Sequence, residues 1–164
     1  MIRLPAHEYL DRLGIPYETA EFSPAIDKGA ASVARALGFR ERQMIKTLIF
    51  EMDTRERLLV MVGGDQSIVS GNLKKAAGSR NIQMASAENV KDATGYVIGS
   101  IPPFSRQEPG FRSFLEASLM AEPILGVGTG QWGHEILITP ANLVRASAAI
   151  LVNLVDRANP VFRG

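Results

Sequence analysis

The segment Gln43-Met44-Ile45-Lys46-Thr47-Leu48-Ile49-Phe50-Glu51-Met52 decides the fold class. It is mostly apolar, and it predicts a strand buried on both faces. Asp53-Thr54-Arg55-Glu56 has turn chemistry, and Arg57-Leu58-Leu59-Val60-Met61-Val62-Gly63 is a second apolar run. The pair predicts an antiparallel hairpin. Upstream, Pro5 to Leu13 reads as a short helix stopped by Gly14. Ile15 to Phe22 reads as an extended segment, which Pro16 confines to a strand start or an edge, with Tyr17 and Phe22 as packing points. Ser32 is the expected N-cap of a helix through Leu37 that Gly38 ends. Downstream, Ser70 to Gly78 reads as a capped short helix with a basic outer face, and Ser86 caps a helix over Ala87 to Asp92. Arg112 to Ala117 fits a strand or a short helix. Ile124 to Gly128 and Glu135 to Ile138 read as partner strands across Thr129 to His134. Thr139-Pro140 starts a helix that runs to about Ile150, and the tail from Val152 to Gly164 carries weak signals. Strands and helices mix without a regular alternation. The expected class is therefore α+β: a largely antiparallel, barrel-like mixed sheet with helices packed outside.

With 164 residues, 46% apolar and 21% charged, the chain suits one globular domain, with its core over about residues 5 to 155. Residues 1 to 82 carry 12 Lys/Arg and 10 Asp/Glu, and the remainder 6 and 7, so bulk charge does not argue for tight non-specific nucleic-acid binding. The absence of cysteine excludes disulfides, thiolate catalysis and Cys-ligated zinc. No apolar run resembles a signal peptide or a membrane span, and a cytoplasmic location is expected.

A second stretch, Ala93-Thr94-Gly95-Tyr96-Val97-Ile98-Gly99-Ser100-Ile101-Pro102-Pro103-Phe104, has neither helical period nor alternation. It reads as a stiff, shaped loop. The amides of Gly99, Ser100 and Ile101 are all able to donate, and a row of free N–H groups binds an oxyanion, a carboxylate or a phosphate. The plainer reading is a connection between two strands. Lys46, inside an apolar strand, must pair, reach solvent or line a pocket; an edge-strand lysine with its head in water is the competing reading. Thr47 faces the opposite side of the strand. His7 and His134 lack metal-ligand spacing, and no metal or cofactor is expected. Gly126-Val127-Gly128-Thr129-Gly130 does not match a dinucleotide fingerprint and reads as a hairpin turn. Trp132 reads as core packing, with base stacking as the alternative. Glu116 and Glu135 are lone carboxylates.

Val33-Ala34-Arg35-Ala36-Leu37-Gly38, Met44-Ile45-Lys46-Thr47-Leu48, Leu73-Lys74-Lys75-Ala76-Ala77-Gly78 and Thr94-Gly95-Tyr96-Val97-Ile98-Gly99-Ser100-Ile101-Pro102-Pro103 occur in that order. This set resembles the YbaK/ProX family of aminoacyl-tRNA deacylases. That family includes the free-standing Cys-tRNA(Pro) deacylase and the editing domain inserted in bacterial prolyl-tRNA synthetases. The resemblance implies hydrolysis of the ester between a mischarged amino acid and the tRNA 3′ end, with tRNA(Pro) as substrate and prolyl-tRNA synthetase as a transient partner. It implies a catalytic set of Lys46, Gly99, Ser100 and Ile101. Around it, a substrate-binding set would comprise Thr47, Phe22, Gly95, Tyr96, Pro102, Gly128, Thr129, His134 and Glu135. The chain departs from the Cys-tRNA(Pro) deacylase pattern. Gly-Gly-Ile-Ser-Pro there is Gly99-Ser100-Ile101-Pro102-Pro103 here, the early tyrosine is Ala20, the Ser-Gly-Gly segment is Gly128-Thr129-Gly130, and the following aspartate is Glu135. The changes support the fold and reaction type better than cysteine as the amino acid; the expected substrate carries a small amino acid, Cys or a different one such as Ala, Ser or Thr. A binding module that keeps the fold without turnover, holding an acceptor end or a nucleotide, is the alternative. Hydrolysis of another small ester is weaker, since no triad or metal set is visible.

Overall fold

The computed structural model describes residues 2–97, 99–104 and 111–155. The hairpin forms as expected. β2 (Ile45–Met52) and β3 (Arg57–Gly63) pair antiparallel, with Lys46 opposite Val62 and Thr47 opposite Met61. They sit inside a five-stranded sheet in the order β4-β2-β3-β5-β8, where β4 is Ile82–Met84, β5 is Phe111–Glu116 and β8 is Ile150–Val152. β3 is the central strand, buried along nearly its whole length, which is why it reads as an unbroken apolar run.

A second sheet has three antiparallel strands, with β7 (His134–Ile138) between β1 (Glu18–Glu21) and β6 (Leu125–Gly128). The expected barrel does not form. Both sheets are open, and β2 meets β6 through one isolated bridge, Met44 to Gly126. The ladder goes no further because the chain is coiled into a 3₁₀ turn, Glu41–Gln43, just before Met44. The architecture is mixed α/β, with β3–β5 and β5–β8 parallel and the other pairs antiparallel.

Two cores follow from strand alternation. Ile49, Leu59 and Met61 face the small sheet and pack with Leu125, Val127 and Ile136. Phe50, Leu58, Val60 and Val62 face the other way, onto Leu73 and Ala77 of α3 (Ser70–Ala77). The expectation that β2 is buried on both faces holds only for its second half. β4 pairs with Phe50, Glu51 and Met52, so among the described residues no strand covers that edge of β2 along Ile45–Leu48, and these four are half-buried.

Other boundaries shift for identifiable reasons. α1 (Pro5–Leu13) ends at Gly14 as expected. α2 (Ala30–Leu37) starts before Ser32, because Gly29 turns the chain; the Ser32 hydroxyl instead accepts from Arg35. α3 has Val69 at its cap position and no side-chain cap, whereas Ser86 caps α4 (Ala87–Thr94) by accepting from the Asn89 amide at 3.1 Å. Arg112 to Glu116 is strand, not helix, because it runs parallel beside β3. α5 (Pro140–Ser147) is capped by Thr139, but it stops short of Ile150. Ala148 turns left-handed, and Ile150–Val152 leaves to pair with β5. The central loop joins α4 to β5 rather than two strands. Ile98 and the tail from residue 156 lie outside the described residues. Among the described residues, no helix is long and apolar enough to cross a membrane.

Candidate active site

The uncovered edge of β2 opens into a cavity of about 410 Å³ between the two sheets and the start of α2. Lys46 and Thr47 border it from β2, Gly99, Ser100 and Ile101 from the loop, and Gly128 and Glu135 from the β6–β7 hairpin. Seven of the residues singled out in the sequence are thus gathered around one hollow.

The loop is held from both ends. The Thr94 hydroxyl donates to the Val90 carbonyl at 2.7 Å and accepts from the Tyr96 amide at 3.0 Å, which fixes the exit from α4. Farther on, the Gly130 amide donates to the Ser100 carbonyl at 2.7 Å, and Ile101, Pro102 and Phe104 are buried. Close approach to the hairpin needs small residues there. A Cβ on Gly130 would stand 2.3 Å from the Tyr96 ring, and one on Gly128 would stand 2.9 Å from the Ser100 carbonyl oxygen. Gly99 adopts φ +97°, with open space where a side chain would be. Of the three expected donors, Ser100 is committed elsewhere: both its amide and its hydroxyl reach the Val97 carbonyl, at 3.3 and 3.2 Å. The Gly99 and Ile101 amides have no hydrogen-bond partner among the described residues.

Glu135 is 9% exposed and, among the described residues, has neither a side-chain hydrogen bond nor an ion pair. Its carboxylate lies over Gly126 beside Met44, where a Cβ on Gly126 would come within 3.1 Å of its Oε2. Burial pushes its pKa up to about 8, so at neutral pH it is mostly the neutral acid. Its cross-strand partner on β1 is Ala20. Two of the four departures that the resemblance implies, Ala20 and Glu135, are therefore cross-strand neighbours.

Lys46 is half-buried, and its Nζ donates to the Gln66 carbonyl at 2.6 Å. Desolvation lowers its pKa from the usual lysine value, against smaller opposing effects of Glu41 and Asp65. Alternation puts Lys46 with Leu48 and Phe50 on the α3 side of the sheet, where its ammonium meets the Gln66 carbonyl, and the residue borders the cavity at the uncovered edge of β2.

The remaining residues of the expected set do not border the cavity. Thr129 is buried and holds the hairpin turn by donating to the His134 and Gln131 carbonyls. His134 points toward Glu21, with Nδ1 3.4 Å from its carboxylate. Phe22 stands edge-on to Trp132 at 4.8 Å, Tyr96 and Pro102 line a small hollow with Ile101 and Phe104, and Gly95 is the left-handed residue that ends α4. Sequence reasoning missed Lys28 and Val33, whereas the packing role it gave Trp132 holds, since the ring packs against the cluster of Val33, Ala34 and Met44. Lys28, Val33 and Trp132 all border the cavity, with the Lys28 ammonium 4.1 Å from the Trp132 ring centroid. Lys28 and Trp132 are over a hundred residues apart in the chain, and no local pattern signals their meeting.

The family model for the aminoacyl-tRNA editing domain matches residues 27–146, which contain every residue placed around this cavity. The chain belongs to that family. The YbaK/ProX resemblance carried by the sequence is thereby supported. The editing domain is 23% identical over 145 residues to a proline–tRNA ligase of Moorella thermoacetica, covering 88% of this chain and 25% of the ligase. It is 33% identical over 106 residues to the proline–tRNA ligase of Maridesulfovibrio salexigens, covering 60% of this chain and 18% of that one. It therefore spans about a quarter or less of the length of these relatives. The fold matches the crystal structure of a candidate trans-editing enzyme for prolyl tRNA synthetase with TM-score 0.85 at 22% identity, over 95% of this chain and 99% of that one. A crystal structure of a hypothetical protein matches with TM-score 0.85 at 23% identity, over 93% and 99% of the two chains.

Proposed function

We propose that the editing domain is a trans-acting aminoacyl-tRNA deacylase. It hydrolyses the ester of tRNA(Pro) mischarged with a small amino acid such as Cys, Ala, Ser or Thr, in transient association with prolyl-tRNA synthetase. The observation that carries this reading is the pair of unpartnered amides, Gly99 and Ile101, at the mouth of a cavity that also holds a buried carboxyl.

In ester hydrolysis, water adds to the carbonyl carbon and the carbonyl oxygen gains negative charge. The C–O bond to the ribose then breaks, and the water proton ends on the departing ribose oxygen. Fixed N–H donors aimed at the developing oxyanion stabilise it without reorganisation, and loss of one such donor costs about 10²–10³ in rate. Gly99 and Ile101 supply these donors. Lys46 anchors the end of the nucleic acid as a cation and is not the general base; a bound water or a group on the substrate is the nucleophile. Glu135 meets the amino end of the substrate. A buried, unpaired carboxyl gains most from an incoming ammonium, which supplies the countercharge its surroundings lack.

The test is ester loss from tRNA(Pro) charged in turn with Cys, Ala, Ser and Thr. Hydrolysis of at least one over correctly charged Pro-tRNA(Pro) is expected. Inertness on all four, with tRNA still bound, would instead assign the domain to acceptor-end binding without turnover.

A further inference from the structure

A second hollow, of about 310 Å³, lies on the α3 side of the five-stranded sheet. Its walls are Leu48 and Phe50 of β2 and Ile82 and Met84 of β4, and its cations are Lys46 and Lys74. The hydroxyl-bearing Ser67 and Ser70 complete the rim beside Lys74. Its volume is at the lower end of small-ligand pockets, which start at about 300 Å³.

Three features define what it fits. First, it adjoins the candidate active site: Lys46 and Leu48 border both hollows. Second, its rim is cationic. The Lys46 ammonium is held by the carbonyl of Gln66, a residue that borders this hollow and not the other, and the Lys74 ammonium has no hydrogen bond or ion pair among the described residues. Among the described residues, no acidic side chain borders it. Third, its outer wall is an apolar side chain left in water: Met84, on the edge strand, is 60% exposed.

We propose that this hollow binds one nucleotide of a single-stranded nucleic-acid end, with the base against Leu48, Phe50, Ile82 and Met84 and the phosphate between Lys46 and Lys74. A base offers an apolar face that packs on such walls irrespective of sequence, and a phosphate is the anion that two ammonium groups at one rim favour. The identity of the strand rests on the deacylase reading. A tRNA acceptor end seated here passes over Lys46, and its acylated terminus enters the cavity of Gly99, Ile101 and Glu135. Lys46 then serves both hollows, fixing the strand at the point where the ester begins.

The experiment titrates the intact chain with AMP, CMP, adenosine and inorganic phosphate, read by amide and methionine-methyl NMR shifts, beside deacylation assays on charged tRNA. AMP and CMP are expected to shift Met84 and the segment from Ser67 to Leu73, and both to bind better than adenosine or phosphate alone. Lys74→Glu should weaken AMP at least about tenfold, in keeping with loss of a phosphate contact, with little change for adenosine. Met84→Ser should weaken AMP and adenosine alike. In deacylation, Lys74→Glu should raise KM and leave kcat within about twofold. Absence of nucleotide shifts at these residues, alongside intact deacylation, would overturn this site and leave the deacylase reading standing. Nucleotide shifts with no deacylation would keep this site and overturn that reading. Inorganic phosphate binding as well as AMP, or a fatty-acid anion competing AMP away at lower concentration, would overturn a nucleotide as the occupant.

Discussion

The Lys46 ammonium donates to the main-chain carbonyl of Gln66 at 2.6 Å, and Gln66 is itself locked in place. Its side-chain oxygen accepts from the Gly63 amide at 2.7 Å, and its amide nitrogen lies 3.3 Å from the Ser118 hydroxyl. Ser118 in turn bonds Glu116, whose other oxygen accepts from the Leu154 amide at 2.8 Å. The cation at the edge of the cavity is thus set by a chain of buried polar contacts that runs to the end of the described residues.

Lys46→Ala should lower deacylation by about a hundredfold or more, since it removes a positioning contact of the reacting end. The fold should persist, because Lys46 is only half-buried and its partner is a carbonyl that water can satisfy. Rates on charged tRNA, with circular dichroism melting as the control, check this. Near-normal turnover would remove Lys46 from the site.

Gln66→Leu should act differently. It leaves the buried Gly63 amide without its acceptor, at a cost of about 1–3 kcal/mol. Urea unfolding should register that loss. The main-chain carbonyl that holds Lys46 remains but loses the side-chain anchor that fixes its position, so KM should rise more than kcat falls. A variant as stable as the parent would show that this network does not hold the partner of Lys46 in place.

Glu135 gives a pH signature that needs no substrate. In the unfolded chain a carboxyl ionises near 4.5, while in the fold Glu135 keeps its proton until about 8. The native state therefore binds more protons over that window, and its stability falls as pH rises through it. The shift corresponds to a penalty on the order of a few kcal/mol above pH 8. Glu135→Gln, which keeps the shape without the ionisation, should match the parent near pH 4.5 and melt higher at pH 8.5. Parallel pH profiles of Tm for the two proteins would show that the carboxyl is not desolvated as its burial implies.

The hairpin, the helix stops at Gly14, Gly38 and Gly78, and the Thr139 and Ser86 caps were legible in the sequence because each is a local choice. The openness of the sheets was not. It turns on the 3₁₀ turn at Glu41–Gln43, which stops the contact between the two sheets at one bridge, and a single such turn carries no signal of its own. The same holds within the site. Lys46 and the Gly99 loop stand out by residue type. That Ser100 turns its amide to Val97, or that Lys28 sits on Trp132, depends on tertiary placement. The Ala20–Glu135 pairing is intermediate: both departures are visible in the sequence, but only the register of β1 against β7 makes them one feature.

Gly130 offers the sharpest separation of loop geometry from chemistry. Its φ of +95° disfavours any side chain, and a Cβ there would stand 2.3 Å from the Tyr96 ring. Gly130→Ala therefore carries two penalties, backbone strain of about 1–3 kcal/mol and a collision that pushes Tyr96 and the loop away from the hairpin. Tyr96→Ala removes the second penalty but not the first. In a double-mutant cycle, Gly130→Ala should cost less stability in the Tyr96→Ala background than in the parent, by about 1 kcal/mol or more. Activity should follow the same pattern. Gly130→Ala moves the loop that carries the Gly99 and Ile101 amides, although it touches neither, so kcat should fall in the parent background. Part of that fall should be absent once the ring is gone. Strictly additive effects on both stability and kcat would mean that the Tyr96–Gly130 contact does not set the position of the donor loop.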